Sequence, residues 1–164
     1  MGMNRTEEEM TPEITRADDE AQIRALIDDW AKAARAKDID AIFAHYAPDI
    51  VAFDGIGQLQ FKGRDAYRKH WEACIAMCSG PMIFEVHDLD IEARDDLAFG
   101  HYLSRCGETG ADGKEQAGWF RVTVCCRKIN SRWKVAHEHF SAPFDPESGK
   151  AMLDLGPRNG ARLR

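Results

Sequence analysis

The stretch WKVAHEHFSAP, residues 133–143, decides the predicted fold, because it has the pattern of one long strand that ends at a proline. Its side chains divide between two faces, since successive residues of a strand point to opposite sides of a sheet. Three similar segments precede it, at residues 82–93, 97–108 and 115–128. The turns between the four segments are short and rich in Gly, Asp, Asn and Ser, so the sequence predicts an antiparallel meander.

The residues upstream of the meander follow a helical pattern. Apolar side chains recur on one stripe of a helix from Ile23 to Ala34, and a short second helix is predicted at residues 39–46. Pro48 would end that helix, because the residue before a proline avoids the helical region. Two short strands at residues 50–53 and 59–61 and a third helix at residues 64–77 complete the pattern. Helices kept apart from a run of antiparallel strands indicate the α+β class.

Size and composition indicate one domain, with neither a nucleic acid nor a membrane as partner. The chain has 164 residues, 44% of them hydrophobic and 30% charged, and a formal net charge of -6. Phosphate binding needs a basic face, and the sequence has no block rich in lysine and arginine. No apolar run approaches the ~20 residues of a membrane helix. We predict a flexible extension at residues 1–17, the domain at residues 18–144 and a flexible tail at residues 145–164.

The cysteines, glycines and histidines of the sequence show whether disulfides, a cofactor or a metal are expected. Five cysteines without a disulfide pattern indicate buried free thiols in a reducing cytoplasm. No glycine-rich phosphate loop is present, so no cofactor is predicted. His137 and His139 could chelate a metal from one face of a strand, but no third ligand has a fitting spacing, so no metal site is predicted.

Three segments resemble the nuclear transport factor 2-like superfamily, in its SnoaL-like or ketosteroid-isomerase-like branch. They are residues 23–49, residues 61–66 (FKGRDA) and the last strand, which is also similar to the association domain of calmodulin-dependent kinase. The resemblance covers residues 18–144 and implies a cone-shaped α+β barrel, with three N-terminal helices packed in a bent, mostly antiparallel sheet. The superfamily spans isomerases, dehydratases, cyclases and assembly domains without chemistry, so the fold leaves the function open.

Asp54 is the first candidate catalytic residue. Ketosteroid isomerases have a general-base aspartate after the same strand, and the resemblance implies that role for Asp54. Partial loss of hydration between Phe53 and Ile56 would suit a base that works near neutral pH. The alternative is structural, because an aspartate before Gly55 can also accept local hydrogen bonds as the first residue of a turn.

The oxyanion-stabilising donors of the isomerase have weaker counterparts in this chain. Trp30 falls where the isomerase has a tyrosine on its first helix, and Thr123 or Cys125 falls where it has a protonated aspartate. We therefore predict Trp30 and Thr123 as ligand-binding residues and do not expect steroid isomerisation itself. Tyr46 is predicted near the pocket mouth, since ligand pockets are mainly apolar and aromatic.

The last strand supplies the second candidate catalytic residue. The match to the family places Ala136, Glu138 and Phe140 toward the pocket. Glu138 would then be a carboxylate in a largely apolar cone, which is costly unless the group is paired or protonated. Arg121 on the neighbouring strand is the predicted partner, and the pair would be an acid/base device, a carboxylate anchor or a structural ion pair. Position matching also turns His101 inward, as a ligand-binding residue.

The opposite face of that strand is predicted to be convex. It would carry Trp133, Val135, His137 and His139, and its apolar residues predict a homodimer formed through this face. If the two faces are exchanged, His137 and His139 instead line the pocket as an acid/base pair.

The favoured function is cofactor-independent proton transfer, such as isomerisation, dehydration or cyclisation, on a small and partly hydrophobic molecule. Asp54 would be the base, and Glu138, Arg121 and His101 would bind or polarise the substrate. The alternative is a non-catalytic module that binds a small ligand or assembles oligomers. A deep cone that both Asp54 and Glu138 reach would favour the enzyme, whereas a filled cone would favour the module.

Overall fold

Three helices pack against one face of a bent six-stranded sheet. The computed structural model describes residues 12–157. Its elements are α1 (Pro12–Arg35), α2 (Ile39–Ala44), β1 (Tyr46–Phe53), β2 (Phe61–Lys62), α3 (Arg64–Met77), β3 (Met82–Arg94), β4 (Leu97–Thr109), β5 (Glu115–Ile129) and β6 (Arg132–Ser141). The α+β class predicted from the sequence is confirmed.

The sheet is mixed, with strand order β2-β1-β6-β5-β4-β3. β1 and β6 run parallel, and the other neighbouring pairs are antiparallel, as the predicted meander requires. The register shifts between His87 and Asp90 in β3 and between Cys125 and Cys126 in β5. Irregularities of this kind bend a strand and increase its twist, so the sheet curves around the helices.

α1 buries its apolar stripe in the concave side of the sheet, which we call the inner face. Ile23, Ile27 and Trp30 are no more than 3% exposed, and each such burial stabilises the fold by about 1.5–3 kcal/mol. No helix within residues 12–157 is long and apolar enough to cross a membrane.

Several element bounds differ from the prediction. α1 begins at Pro12, inside the predicted N-terminal extension. α2 ends at Ala44, and Tyr46 is the first residue of β1, because it pairs with Val135 of β6 rather than continuing the helix. Residues 145–157, placed in the tail by the sequence, turn back: Phe144 pairs with Ala151, and the Trp119 amide donates to the Leu153 carbonyl at 2.8 Å.

A bulge in β6 changes which side chains share a face. Cys126 pairs with Val135 and Cys125 with His137, so Ala136 is an extra residue on β6. Val135 therefore lies on the same inner face as Glu138, although their spacing is odd.

The bulge corrects part of the predicted arrangement of this strand. Trp133 and Val135, expected on the convex face, are 5% and 3% exposed and belong to the core. Glu138 and Phe140 do turn inward, at 2% and 7% exposed. The homodimer stays a prediction. Because Trp133 and Val135 are buried in the core, they cannot form the apolar contact that was predicted for its interface.

The faces of β4 and β5 are the reverse of the predicted ones. His101 pairs with Thr123 across the two strands, and both side chains are exposed on the outer face, as is Arg121. The prediction that these three residues face the pocket is wrong. Tyr102 and Val122 lie one position along their strands from His101 and from Arg121 and Thr123, and they are 4% and 2% exposed. Their burial against the helices determines which side chains of β4 and β5 point inward.

Asp19 fastens α1 to the far end of the meander. It is 5% exposed, and its Oδ1 accepts hydrogen bonds from Lys128 Nζ at 2.7 Å and Trp133 Nε1 at 3.0 Å. A buried carboxylate is tolerated when it has such partners, so this contact fixes the position of the helix over the sheet.

Asp19→Ala should lower the free energy of unfolding by about 2–3 kcal/mol, because the Trp133 indole N–H and the Lys128 ammonium lose their acceptor. Asp18→Ala is the control, since Asp18 is exposed in the same helix and the change in helix propensity is the same. Urea unfolding of both variants measures the difference. Equal stabilities would show that the Asp19 contact contributes nothing.

Candidate functional site

A cavity of about 600 Å³ opens between α3, the inner face of the sheet and the segment after β6. This volume suits a small organic ligand. Its wall is mostly apolar, and among the described residues no lysine or arginine lines it. The aromatic side chains of the wall are those of His70, Trp71, Phe84, Phe120 and Phe140.

Asp54 lies in the wall of this cavity, directly after β1. Its Oδ1 accepts a hydrogen bond from the Ile56 amide at 3.0 Å, so the turn role predicted as the alternative is real. Its Oδ2 lies 3.0 Å from the Tyr67 hydroxyl and 3.4 Å from His70 Nε2. The same carboxyl group therefore stabilises the turn and is held by two side chains of α3.

Glu138 is buried behind Asp54, on the inner face of the sheet. Its Oε1 accepts hydrogen bonds from the Tyr46 hydroxyl at 2.9 Å and the Tyr67 hydroxyl at 2.6 Å. Burial raises the pKa of Glu138 to about 7; the two tyrosine hydrogen bonds lower it and the charge of Asp54 raises it. The predicted partner Arg121 lies on the outer face, so two tyrosines take its place.

Trp30 and Tyr46 form a hydrogen-bond chain that leads to Glu138. Trp30 Nε1 donates to the Tyr46 hydroxyl at 2.8 Å, which leaves the Tyr46 proton to be donated to Glu138. Trp30 and Tyr46 are 3% and 1% exposed, and neither lines the cavity. The structure thus places both predicted ligand-binding residues behind the site, whereas Phe140 does line the cavity.

His70 is a site residue that sequence reasoning missed. Its ring stacks on Phe61, with centroids 4.3 Å apart and an interplanar angle of 25°. It lies three residues after Tyr67, and this helical spacing, which puts both on one face of α3, was the available signal. Stacking holds its Nε2 beside the Asp54 carboxylate, so the two groups can act as an acid/base pair.

One aromatic residue of the wall has an unpaired donor. Within residues 12–157 the indole Nε1 of Trp71 is buried without a hydrogen-bond acceptor, although Trp71 lines the cavity. A buried donor left unsatisfied costs about 1–3 kcal/mol. A bound molecule with an oxygen acceptor could remove that cost.

Two cysteines of the wall, Cys74 and Cys106, are poor nucleophiles. Burial raises the pKa of Cys106 to about 12 and also raises the pKa of Cys74. Both thiols are therefore protonated at neutral pH, and nucleophilic attack needs the thiolate.

The segment after β6 forms one edge of the cavity. Leu153 lines it, and its carbonyl accepts the amide hydrogen of Trp119 at 2.8 Å. Gly118 makes this approach possible, since a Cβ there would lie 2.8 Å from the Leu153 Cβ.

Three histidines outside the cavity wall, His101, His137 and His139, take no part in the site. His101 Nε2 lies 3.8 Å from Asp90 Oδ2 at the exposed outer face. His137 Nδ1 contacts the Val51 carbonyl at 2.7 Å, and His139 is exposed next to Phe53. No group of three or more metal-ligating side chains occurs in the described part of the chain.

Glu138→Gln should change how stability depends on pH. The folded state keeps the Glu138 proton up to about pH 7, whereas the unfolded chain releases it near the ordinary glutamate pKa of 4.5. The wild type should therefore lose about 3 kcal/mol relative to Glu138→Gln as the pH rises through this window, with no further change above it.

Urea unfolding at a series of pH values measures this difference. Glu92→Gln, at an exposed position of β3, is the control and should follow the wild type at every pH. Parallel pH profiles for the wild type and Glu138→Gln would contradict the assignment of a buried proton to Glu138.

Comparisons with known proteins give the family. The model of the SnoaL-like domain matches residues 23–145. An NTF2-like protein of unknown function from Pseudomonas putida KT2440 is 51% identical, with a TM-score of 0.81 over 86% of this chain and 98% of that one.

More distant structures share the fold alone. A candidate dehydratase of the NTF2-like family from Streptomyces avermitilis is 15% identical, with a TM-score of 0.69 over 80% of this chain and 97% of that one. A candidate aromatic ring hydroxylase from Novosphingobium aromaticivorans is 21% identical, with a TM-score of 0.67 over 76% and 89%. A search of the curated proteins gives no match. The chain belongs to the SnoaL-like domain family and has the nuclear transport factor 2-like fold.

Proposed function

We propose that this protein is an enzyme that transfers protons on a small, uncharged, hydrophobic molecule without a cofactor. The observation that carries this proposal is the Asp54 carboxyl group, held by Tyr67 and His70 in the wall of an otherwise apolar cavity. Isomerisation, dehydration and cyclisation that pass through an enolate all need such a group, since each of these routes begins with the removal of a proton from a weak carbon acid.

Asp54 is the base in this proposal. One of its oxygens is fixed by the Ile56 amide and the other faces Tyr67 and His70, so the carboxyl group does not have to reorient when a substrate arrives. Fixed geometry of this kind lowers the entropic part of the barrier. His70 can return a proton to the product, because its ring lies in the same wall.

The Trp71 indole supplies the complementary donor. Removal of a proton next to a carbonyl group moves negative charge onto the oxygen, which a donor in a dry site stabilises. Trp71 Nε1 is the buried donor without an acceptor in the described residues, and its side chain lines the same cavity as Asp54. A carbonyl oxygen of the substrate would complete its hydrogen bonding.

The wall also limits the charge of the substrate. Asp54 is acidic, and no cationic side chain of residues 12–157 other than a protonated His70 faces the cavity. An anionic ligand would have to leave water without a fixed partner, which is unfavourable. An uncharged ketone or alcohol therefore fits this wall better than a carboxylic acid.

Asp54→Asn should abolish proton transfer while leaving ligand binding in place. The protein is incubated in D₂O with a panel of neutral aliphatic and aromatic ketones, and deuterium incorporation beside the carbonyl is followed by NMR. We expect wild-type exchange on at least one ketone and a loss of about a hundredfold or more in Asp54→Asn.

Asp90→Asn is the matched control, because Asp90 also lies near a histidine, His101, but on the exposed outer face. It should exchange like the wild type. Equal exchange in the wild type and Asp54→Asn would remove Asp54 as the base.

The alternative is a ligand-binding module without chemistry. It is favoured by the position of Glu138, which does not line the cavity, so only one of the two predicted carboxyl groups reaches a ligand directly. A ketone that raises the melting temperature of both the wild type and Asp54→Asn, with no exchange in either, would establish that function instead.

A further inference from the structure

The Tyr67 hydroxyl lies between two carboxyl groups but has only one proton to donate. Its oxygen is 2.6 Å from Glu138 Oε1 and 3.0 Å from Asp54 Oδ2, and both distances are those of hydrogen bonds. Two ionised carboxylates cannot both be satisfied by one phenol proton. One of the two contacts therefore needs a second proton.

The surrounding groups do not supply that proton. Trp30 Nε1 donates to Tyr46, and the Tyr46 proton is directed at Glu138 Oε1. His70 Nε2 lies 3.4 Å from Asp54 Oδ2, and a proton on this nitrogen would lie outside both Tyr67 contacts. The second proton must consequently belong to one of the two carboxyl groups, as is usual when two carboxyl groups share a site of low dielectric constant.

We infer that Asp54 and Glu138 share one proton through the Tyr67 hydroxyl, and that Glu138 is a positioning residue which holds this proton while Asp54 acts as the base. The catalytic consequence rests on the proposed function, whereas the shared proton does not.

The protons of the hydrogen-bond chain Asp54–Tyr67–Glu138 can take two arrangements with the same total charge. In the first, the Glu138 O–H donates to the Tyr67 oxygen, and the Tyr67 O–H donates to the Asp54 carboxylate. In the second, the Glu138 proton has moved to Tyr67 and the Tyr67 proton to Asp54, so Glu138 is ionised and Asp54 is an acid. Two O–H bonds break and two form, and no proton enters or leaves the protein.

The other titratable groups around Glu138 stay neutral during this exchange. They are Tyr46 on β1, Tyr67 on α3, Tyr102 on β4 and Cys126 on β5; α1 contributes the non-titrating Trp30. Burial raises the pKa of all three tyrosines well above the usual value and that of Cys126 to about 12. His70 also lies beside this hydrogen-bond chain, with its Nε2 3.4 Å from Asp54 Oδ2.

The shared proton gives Asp54 two roles at one position. As a carboxylate it removes a proton from a ligand, and as an acid it protonates a leaving or neighbouring group on the same side of the cavity. This arrangement fits a substrate on which removal and delivery of a proton occur at adjacent atoms, such as an enolisable ketone with a hydroxyl group beside the reacting carbon.

The test uses the full-length protein without ligand. Carboxyl groups of Asp and Glu are labelled with ¹³C, and the Glu138 and Asp54 signals are assigned by their absence in Glu138→Gln and Asp54→Asn. We expect both wild-type signals to respond at the same pH values, because coupled groups titrate as a pair. Independent titrations of the two assigned signals in the wild type would overturn the inference.

A double-mutant comparison isolates Tyr67. Asp54→Asn should lower the pH at which Glu138 titrates, and this shift should fall to less than about half in the Tyr67→Phe background. Tyr46→Phe is the matched control: it also removes a hydroxyl that donates to Glu138, but it does not touch Asp54, so the shift should remain. A full shift in Tyr67→Phe would mean that the coupling acts through space, and the Tyr67 pathway would be wrong.

The catalytic part is tested separately in the ketone exchange assay. Glu138→Gln should alter the pH profile of exchange, since Asp54 then loses its proton partner, and Glu92→Gln should leave the profile unchanged. An unaltered profile in Glu138→Gln would overturn the positioning role. Absence of exchange in the wild type would instead refute the proposed function, and the titration result would stand independently.

Discussion

A buried carboxyl group that must keep hydrogen-bond partners is the constraint on which this structure depends. Glu138 is 2% exposed, and its partners come from two other elements, Tyr46 on β1 and Tyr67 on α3. An unpaired ionised carboxylate at this depth would cost several kcal/mol, so β1, α3 and β6 must meet in one arrangement. The parallel pairing of β1 with β6, which places Ala52 opposite Glu138, serves that arrangement.

The same contacts place the reactive group. Asp54 follows β1 directly, and the Tyr67 hydroxyl that binds Glu138 also reaches Asp54. The buried carboxyl group of Glu138 and the accessible one of Asp54 are thus parts of one hydrogen-bond chain. The rest of the wall is mostly apolar, so a ligand that fills the cavity would displace water and strengthen the electrostatic interactions between itself, Asp54 and His70.

Helices, strands and class could be predicted because their periods are clear in the sequence, but the faces of the strands could not always be. β4 and β5 carry bulky side chains on both faces, so position matching to the family chose the face of His101 and Arg121 as the inner one, which Tyr102 and Val122 in fact occupy. In β6 one extra residue at Ala136 reversed the alternation partway along the strand. A bulge is set by pairing with a neighbouring strand and leaves little mark in the local sequence.

The site residues, like the faces of the strands, could be predicted only in part from the sequence. Asp54, Glu138 and Phe140 could be placed from the sequence because strand ends and the second half of β6 were read in the correct phase. His70 and Tyr67 could not be assigned their roles, because a helical stripe shows which side chains face inward but not which polar atom they meet.

A neutron diffraction structure of the deuterated protein at a pH below 7 locates individual deuterons and therefore tests the shared proton directly. We expect two deuterons along the hydrogen-bond chain from Asp54 through Tyr67 to Glu138, one of them on a carboxyl oxygen. A single deuteron, on Tyr67, between two ionised carboxylates would contradict the shared proton.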